Sequence, residues 1–489
     1  MSQTNQPTDA SRRQFLQTGA LAAAGSFIIV PRHVLGKGFV APSDKLNIAG
    51  VGIAGKGMSD TNNAFNNGAN NMVALCDVDW SARTKANFDK HPNAVKYKDF
   101  RQMLDKEAKN IDAITVSTAD HSHAVVAMAA MQLGKHVYVQ KPLTHNIHEA
   151  RMLTEGARKH KVVTQMGNQG SSNPDQIKMV EWYDKGQIGT VHTVHLWTNR
   201  PVWPQGFNPP KTEAAAPADI DWDTWIGPAT PVGYSPLYHP FKWRGWWNFG
   251  AGALGDIGCH NMDMPFRVLG LGSPTDVECS TGTVYEKDWV ANYVPEGCPA
   301  ASQVQMTFPA TAKNKAPIKM TWADGGIRPF RPEQLPLDAP LGDDGGVIMI
   351  GDKGIITCGL YGMSARLYTK GSGTTYALTA EQSTPQNKTM PEWGHQVLWT
   401  EACKAGFNSK EHKALTSSFD FSGPLTESVL MGNLAIRSFN LRSGKVEGRN
   451  FDYPGRKKLL WDGKNMKITN FDEANQFVSR QYREGWKLA

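Results

Sequence analysis

Short apolar runs alternate with amphipathic stretches over residues 46–166. The apolar runs have the length of buried strands, and the stretches between them have helical periodicity. This alternation predicts a parallel, doubly wound α/β sheet with right-handed crossovers. The predicted strands are 46–51, 72–76, 111–117, 136–140 and 162–165, with a strand end at Tyr97. The predicted helices are 58–67, 81–90, 100–105, 124–133 and 147–159.

The pattern changes after residue 166. Longer runs with alternating apolar and polar positions occur at 191–197, 304–308 and 318–322. They predict a second, α+β domain with an open, mainly antiparallel sheet. The stretch 323–346, rich in Pro, Gly and Asp, predicts a long loop. Helices are predicted at 391–404, 425–441 and 472–483. The predicted organisation is an N-terminal segment (1–44), a Rossmann domain (45–166) and a C-terminal α+β domain (167–489).

The N-terminal segment has the pattern of an export signal. It contains Ser11-Arg12-Arg13-Gln14-Phe15-Leu16, followed by a short apolar stretch at about 20–30. A charged region before a short apolar region is typical of a removable signal, and twin arginines direct bacterial export. We therefore expect a periplasmic or exported protein, with the segment cleaved or retained as an anchor. The alternative is a chance Arg-Arg pair in a disordered terminus. No other run is long and apolar enough to span a membrane.

Charge and cysteine content narrow the class of protein. The formal net charge is +7, and residues outside 1–44 account for +5 of it without any long basic run. A positive charge this small, spread along the chain, does not indicate a nucleic-acid-binding surface. The six cysteines form no C-x-x-C pair, so a zinc site or a thioredoxin-like motif is not predicted.

A glycine-rich turn follows the first predicted strand. Glycine allows the backbone to turn tightly and to approach a pyrophosphate at the N-terminus of the next helix. Asp77, at the end of the second strand, has the spacing of the acid that binds ribose hydroxyls. We expect NAD as cofactor; Arg83 and Lys85 nearby keep NADP open. The residues assigned to the cofactor here are Gly50, Gly52, Ile53, Ala54, Gly55 and Asp77.

Small polar residues and two histidines follow the third core strand. This strand end faces the cofactor crevice in a doubly wound sheet. Ser117, Thr118, His121 and His123 are therefore assigned to the cofactor. Metal binding by the two histidines is the alternative, but no acid-rich partner set accompanies them, and no metal is predicted.

Three residues have the chemistry of an acid–base site. His260 titrates near neutrality and is the candidate that takes or gives the proton of a secondary alcohol. Asp256, one helical turn earlier, is expected to orient the ring or bind a neighbouring hydroxyl. Lys141 would place a cation where the carbonyl oxygen gains charge, and the bond before Pro142 is a candidate cis peptide. Each residue also has a structural interpretation as a cap, a buried histidine or a surface charge.

Aromatic residues are concentrated before this pair. Six of the 15 tryptophans lie between residues 203 and 249. Trp203 and Trp246 are candidates to pack on sugar faces, and Arg200 and Arg244 to bond hydroxyls or carboxylates. The alternative is that these tryptophans pack a loop-rich domain.

These motifs together resemble those of the glucose–fructose oxidoreductase/inositol dehydrogenase (Gfo/Idh/MocA) family. The sequence is most similar in character to an exported subgroup whose members have twin-arginine signals. The family's Glu-Lys-Pro stands here as Gln140-Lys141-Pro142, and its D-x-x-x-H pair as Asp256 and His260. The resemblance implies that Lys141 and Asp256 position the substrate and that His260 is the acid/base. Gln140, Lys141, Asn168 and Gln169 would line the nicotinamide end, and His395 would contact substrate. It also implies a homodimer or homotetramer.

We therefore expect an exported NAD(P)-dependent oxidoreductase that transfers a hydride to or from a sugar, sugar derivative or cyclic polyol. Because free nucleotide is scarce outside the cytoplasm, tightly bound cofactor is expected. One alternative is an NAD-dependent glycosidase or lyase that oxidises the sugar transiently, eliminates a group and reduces the ring again. The other is a periplasmic sugar-binding protein without turnover.

Overall fold

The computed structural model describes residues 44–212, 215–370, 376–379, 394–444 and 451–488. The twin-arginine sequence and its apolar stretch lie outside these described residues. The chain from Leu46 onward forms one compact unit. No helix in the described ranges is both long enough and apolar enough to cross a bilayer.

The first sheet is the predicted doubly wound one. All its neighbouring strands are parallel, and their order is β3-β2-β1-β4-β5-β6. The order reverses between β1 and β4, which opens a crevice at their carboxyl ends. The strands are β1 (Asn47–Val51), β2 (Asn71–Cys76), β3 (Val95–Tyr97), β4 (Ala113–Val116), β5 (His136–Val139) and β6 (Thr164–Met166).

Helices cover this sheet and begin where the sequence predicts, within a few residues. Local capping explains several starts: the Asn146 side chain accepts the Glu149 N–H at the start of the fifth helix, and the Glu149 carboxylate accepts the His145 N–H. This reciprocal pair has the logic of a capping box. The helices are α1 (Lys56–Phe65), α2 (Ala82–Lys90), α3 (Phe100–Glu107), α4 (His123–Gln132) and α5 (Ile147–His160).

The second sheet has ten strands in the order β16-β15-β14-β13-β7-β12-β11-β8-β17-β18. Every pairing is antiparallel except that of β12 with β7, so the prediction of a mainly antiparallel sheet is confirmed. A separate hairpin pairs β9 with β10. The strands are β7 (Val191–Thr198), β8 (Asp276–Thr281), β9 (Tyr285–Lys287), β10 (Val290–Ala291), β11 (Ser302–Phe308), β12 (Ile318–Ala323), β13 (Gly345–Gly351), β14 (Gly354–Gly359), β15 (Arg366–Lys370), β16 (Tyr376–Thr379), β17 (Leu459–Asp462) and β18 (Lys467–Ile468).

The C-terminal half contains a long buried helix, α12 (Phe419–Phe439), which lies between the two sheets. It packs against α5 on one side and against α8 (Gly252–Asn261) and β8 on the other. The helix predicted at 472–483 is wrong: a short 3₁₀ turn, Asp472–Phe477, stands there. The helices are α6 (Pro174–Asp184), α7 (Trp222–Ile226), α8 (Gly252–Asn261), α9 (Asp263–Leu269), α10 (His395–Ala405), α11 (Lys410–Lys413) and α12 (Phe419–Phe439).

Residues 219–249, here called the aromatic strap, cross the carboxyl edge of the first sheet. The strap bonds the loop after β2: the Asp221 N–H donates to the Val78 carbonyl (2.9 Å), and the Trp80 N–H to the Asp219 carbonyl (3.0 Å). Four of its tryptophans, Trp222, Trp225, Trp243 and Trp246, form a separate apolar cluster with Tyr238 and Phe249 against Ala119 of the loop after β4. The strap therefore belongs to the cofactor crevice as much as to the second domain.

Candidate cofactor and active site

The glycine-rich turn after β1 is built for close approach of a ligand to the backbone. Gly52 has φ +76°, and a Cβ there would lie 2.7 Å from the Ser117 carbonyl carbon. A Cβ at Gly57 would lie 1.8 Å from the Gly52 oxygen. A side chain is therefore excluded at both glycine positions, and α1 begins at Lys56 with its N-terminus at the crevice. Such a terminus favours a phosphate.

Asp77 stands across the turn from this helix start. Its carboxylate accepts the Ile53 N–H (2.7 Å) and the Asp79 N–H (3.0 Å). Burial raises the pKa of Asp77 to about 6, more than these two N–H groups lower it. Arg83 is paired with Asp79 at 3.0 Å. The acid is thus placed for ribose hydroxyls, and the nearby arginine already has a carboxylate partner.

A cleft of about 500 Å³ runs from this turn to the start of α8. Its walls come from the first sheet, the strap, α8 and the C-terminal end of the chain. Of the residues assigned from sequence, the cleft is lined by Gly52, Ala54, Gly55, Asp77, Ser117, Thr118, His121, Gln140, Lys141, Gln169, Arg244 and His260.

Lys141 and Asp256 form an ion pair at the far end of the cleft. The Lys141 Nζ lies 2.6 Å from Asp256 Oδ1, and the Arg244 Nε lies 3.5 Å from the same oxygen. Burial would raise the pKa of Asp256, but the two cations outweigh it and hold the pKa at about 2. Asp256 is therefore a fixed anion that orients Lys141, and the Lys141–Pro142 bond is cis, as predicted.

His260 lies on α8 with 2% of its surface exposed. Its ring meets the edge of Tyr361 with centroids 4.5 Å apart, and its Nδ1 is buried without a hydrogen-bond partner among the described residues. Burial, followed by the charge of Lys141, lowers the pKa of His260 well below its usual value. The expectation that Asp256 orients the ring is corrected here, because Asp256 bonds Lys141 instead.

Gln140, where the family pattern has Glu, donates to a buried carboxylate. Its Nε2 lies 2.8 Å from Oδ2 of Asp60, a fully buried residue of α1. Asp60 also accepts from Ser117 and Gln396 and lies 3.3 Å from the Lys56 Nζ. The negative charge missing at position 140 is therefore supplied by Asp60, one hydrogen bond further from Lys141.

A Gln140→Glu variant should be less stable than the native protein. It would set two carboxylates at hydrogen-bond distance in a buried site, where one must bind a proton. We expect a loss of about 1–3 kcal/mol in the free energy of unfolding at pH 7, shrinking as pH falls. Chemical denaturation at pH 5 and 8 measures it. Adding Asp60→Asn should recover part of the loss, and a loss of equal size in single and double variants would contradict the pairing.

Four residues assigned to the cofactor shape the cleft without lining it. Gly50 is needed for packing, since a Cβ there would lie 2.6 Å from Thr61. Ile53 contributes its N–H to Asp77. The His123 ring bonds the carbonyls of Pro142 (2.8 Å) and Thr118 (3.1 Å), tying two cleft loops together. Asn168 bonds Asp263 and Ser417 behind the wall.

Of the residues assigned to substrate, only Arg244 reaches the cleft. Arg200 bonds Asn199, and the Trp203 indole donates to Gln205. Trp246 packs on Tyr238 inside the strap. His395 bonds Ser172 and the Met166 carbonyl. The structural interpretation of these four side chains is therefore the one that their contacts support.

Several lining residues were not identified from sequence. Asp120 lies in the loop after β4, whose hydroxyl residues and histidines were assigned to the cofactor. Its position in that loop was therefore a usable sequence signal. Tyr361 and Trp486 come from loops far along the chain with no motif around them. In the strap, Trp225 and Trp243 were noted only as part of an aromatic concentration, and they line the cleft with His239, Phe241, Lys56 and Phe100.

The histidines after β4 bond main-chain carbonyls. The His121 ring nitrogens lie 2.9 Å from the Trp225 oxygen and 3.3 Å from the Phe249 oxygen. Within the described ranges, no group of three or more His, Cys, Asp or Glu side chains is arranged to hold a metal ion. Nothing in this geometry supports the metal alternative.

Comparisons with known proteins agree with the fold and with an NAD-binding first domain. Residues 45–168 match the family model of the GFO/IDH/MocA oxidoreductases for the NAD-binding Rossmann fold, and residues 179–293 match the model for the family's C-terminal alpha/beta domain. Inositol 2-dehydrogenase of Salmonella typhimurium is 27% identical over 155 residues, 31% of this chain and 44% of that protein. The matched stretch thus spans less than half of that relative.

Two further relatives carry sugar or polyol names. Levoglucosan dehydrogenase of Pseudarthrobacter phenanthrenivorans is 25% identical over 37% of this chain and 39% of its own length. The structure of an inositol dehydrogenase homologue from Azotobacter vinelandii, complexed with NADH and myo-inositol, has a TM-score of 0.52 and 15% identity, and the match covers 79% of this chain and 93% of that one. At that identity the likeness shows the fold.

The glycine turn, Asp77 and the two adjoining family matches lead to one conclusion. Residues 45–168 form an NAD-binding Rossmann domain like that of the GFO/IDH/MocA oxidoreductases, and residues 179–293 are similar to the C-terminal domain of that family.

Proposed function

We propose that this protein is an exported, NAD-dependent dehydrogenase of a sugar, sugar derivative or cyclic polyol that keeps its nucleotide bound. The observation that carries the catalytic part is the grouping of Lys141, Arg244 and His260 at the end of a cleft that begins at the glycine turn. The relatives named for inositol and levoglucosan support the substrate class, and the twin-arginine sequence supports export.

The residues at the end of the cleft away from the glycine turn have separate roles in alcohol oxidation. The cleft residues would hold NAD⁺, which would supply the acceptor for the hydride of the substrate carbon. His260, neutral because of its burial, accepts the hydroxyl proton. Lys141, oriented by Asp256, stabilises the negative charge on the oxygen while that proton leaves. Arg244 holds a further hydroxyl or a carboxylate of the substrate.

The strap supports retention of the nucleotide. Trp225, Phe241 and Trp243 cover the crevice between the glycine turn and the active end. The strap is held at both sides: its main chain bonds the loop after β2, and the His121 N–H donates to the Phe249 carbonyl. A nucleotide in this cleft would leave only after the strap moves.

The chain's C-terminal tail (residues 478–486) closes the other end. Trp486, 5% exposed, lines the cleft beside Phe100 and lies under the Arg101 guanidinium at 4.1 Å. The tail is anchored by Arg483 on Asp223 of the strap (2.6 Å) and by Arg480 on Glu149 (2.8 Å).

Protein purified without added nucleotide should release NAD(H) on denaturation, close to one per chain by mass spectrometry and absorbance. A Trp486→Ala variant should lose it about tenfold faster during gel filtration, because an aromatic contact of about 1.4 kcal/mol corresponds to that factor. Trp461→Ala removes an equally buried tryptophan of β17 and is the matched control. Nucleotide-free protein that NAD does not stabilise against heat would overturn the proposal.

A second candidate, the glycosidase or lyase with transient oxidation, is favoured by the same enclosure. A cofactor that is reduced and reoxidised within one turnover has no need to leave. Release of nitrophenol from 4-nitrophenyl glycosides without net NADH would select this function. Net NADH from myo-inositol or levoglucosan without elimination would select the dehydrogenase.

A further inference from the structure

Asp120 is a buried carboxyl group of the active end to which the proposed function assigns no role. It opens the short 3₁₀ turn Asp120–Ser122 that follows β4. Its exposed fraction is 5%, and it lines the cleft together with Lys141, Arg244 and His260. Asp77, the other carboxylate of the lining, follows β2 and accepts the Ile53 N–H of the glycine turn.

The contacts of Asp120 leave one oxygen for a ligand. Oδ2 accepts the N–H of Ala251, immediately before α8, at 3.1 Å. Within the described residues, no donor bonds Oδ1. The other two carboxylates differ in this respect: Asp77 accepts N–H groups on both oxygens, and Asp256 is paired with two cations.

Burial and several neighbouring charges act on the pKa of Asp120. Burial raises its pKa most, Arg244 and then Lys141 lower it, and Asp256 raises it again; the resulting pKa is about 7. The histidines of its own turn, His121 and His123, have pKa values lowered by burial to about 3 and 4. His260 is also held neutral and Asp256 ionised. Among these groups, Asp120 alone changes its protonation near neutral pH.

We propose that Asp120 is a catalytic proton-carrying residue, the final acceptor of the proton released in oxidation. This rests on the proposed function, in which NAD⁺ takes the hydride. His260 accepts the proton of the reacting hydroxyl. Because its burial disfavours an imidazolium, the ring passes the proton to a neighbouring hydroxyl of the same substrate, and that hydroxyl gives its own proton to Asp120 Oδ1. In the first transfer an O–H bond of the substrate breaks and an N–H bond of His260 forms. In the second, this N–H bond and the O–H bond of the neighbouring hydroxyl break, while one O–H bond forms on that hydroxyl and one on Asp120 Oδ1; reduction reverses the order. The substrate class is therefore a vicinal diol.

The pH dependence of kcat/KM tests this with myo-inositol and levoglucosan as probes. Oxidation by the native protein should rise about tenfold per pH unit below pH 7 and level off above it, since Asp120 must be ionised. In Asp120→Asn, whose amide oxygen still accepts the Ala251 N–H, the limb should vanish and the plateau fall about 10²-fold. Asp120→Glu should restore the limb. An Asp120→Asn profile parallel to the native one would overturn the proposal.

Asp324→Asn is the matched control. Asp324 is 3% exposed, burial raises its pKa to about 6, and it bonds Ser302 and Trp322 away from the cleft. This variant should keep the native pH limb whatever happens to its stability.

Infrared titration separates this inference from the proposed function. A protonated-carboxyl band that disappears around pH 7 in the native holoprotein should be missing in Asp120→Asn and shifted in Asp120→Glu. If neither probe is oxidised, the dehydrogenase proposal fails, and this band still decides whether Asp120 holds the proton. A band unchanged in both variants overturns the inference while leaving NAD-dependent turnover intact.

Discussion

Replacing His260 by alanine should lower kcat/KM by about 10²–10⁴-fold, the usual contribution of a positioned general base. The protein should remain folded, because Nδ1 of His260 has no hydrogen-bond partner among the described residues and its loss orphans none. Steady-state kinetics on myo-inositol or levoglucosan and a thermal melt measure the two effects on the same sample.

Added imidazole gives the sharper test. The alanine variant leaves a space beside the Tyr361 ring, which stands 4.5 Å from the native imidazole by centroid. Imidazole should restore part of the activity in His260→Ala but none in His260→Leu, where the space is filled. Activity within threefold of native in the alanine variant would contradict the assignment of His260 as the base.

The first sheet could be predicted from sequence because its information is local. Each strand is a short apolar run, and each helix has a 3.6-residue period, so type and order follow from neighbouring residues. The long helix α12 shows where this ends. It begins at Phe419, six residues before the predicted start, and includes Pro424 as its sixth residue. A proline normally ends or kinks a helix, whereas burial between two sheets stabilises α12 through Pro424.

The residues of the candidate site also fall into two groups, those that a local motif predicts and those that only tertiary packing brings to the cleft. Gly52, Asp77, Lys141 and His260 each stand in a motif whose spacing reflects a local turn or helix, and the structure places all four on one cleft. Tyr361 and Trp486 reach that cleft only through tertiary packing, which no spacing records.

For the tryptophans of the strap, the sequence left two interpretations open, contact with a sugar and packing within the domain. An aromatic concentration indicates a surface for sugars or a packed layer equally well. The contacts decide for packing in most cases: Trp222 stacks on Trp225 with centroids 4.4 Å apart, and Trp246 meets the edge of Tyr238. Their main effect is to hold Arg244 and the strap over the cleft, so the sequence pattern pointed to the right region and to a different role.

Replacing Lys141 by methionine should reduce both turnover and stability. Loss of a group that stabilises a developing oxyanion costs about 10²–10³-fold in kcat. Loss of one partner from a buried ion pair costs about 3 kcal/mol in the free energy of unfolding, because Asp256 would keep only Arg244 at 3.5 Å. Enzyme assays and urea denaturation at pH 7 measure the two losses.

The double variant Lys141→Met/Asp256→Asn distinguishes the two losses by their cause. If the instability comes from the orphaned carboxylate, the double variant should recover most of the stability and none of the turnover.

The pH dependence provides an independent check. The pKa of Asp256 is about 2 in the folded protein, against 3.8 for an unperturbed aspartate. The pair therefore stabilises the folded state fully above about pH 4 and loses that contribution as pH falls toward 2. The gap in stability between native protein and Lys141→Met should therefore be widest near neutrality and narrow in acid. A gap independent of pH would mean that Lys141 stabilises the fold through its aliphatic stem and not through Asp256.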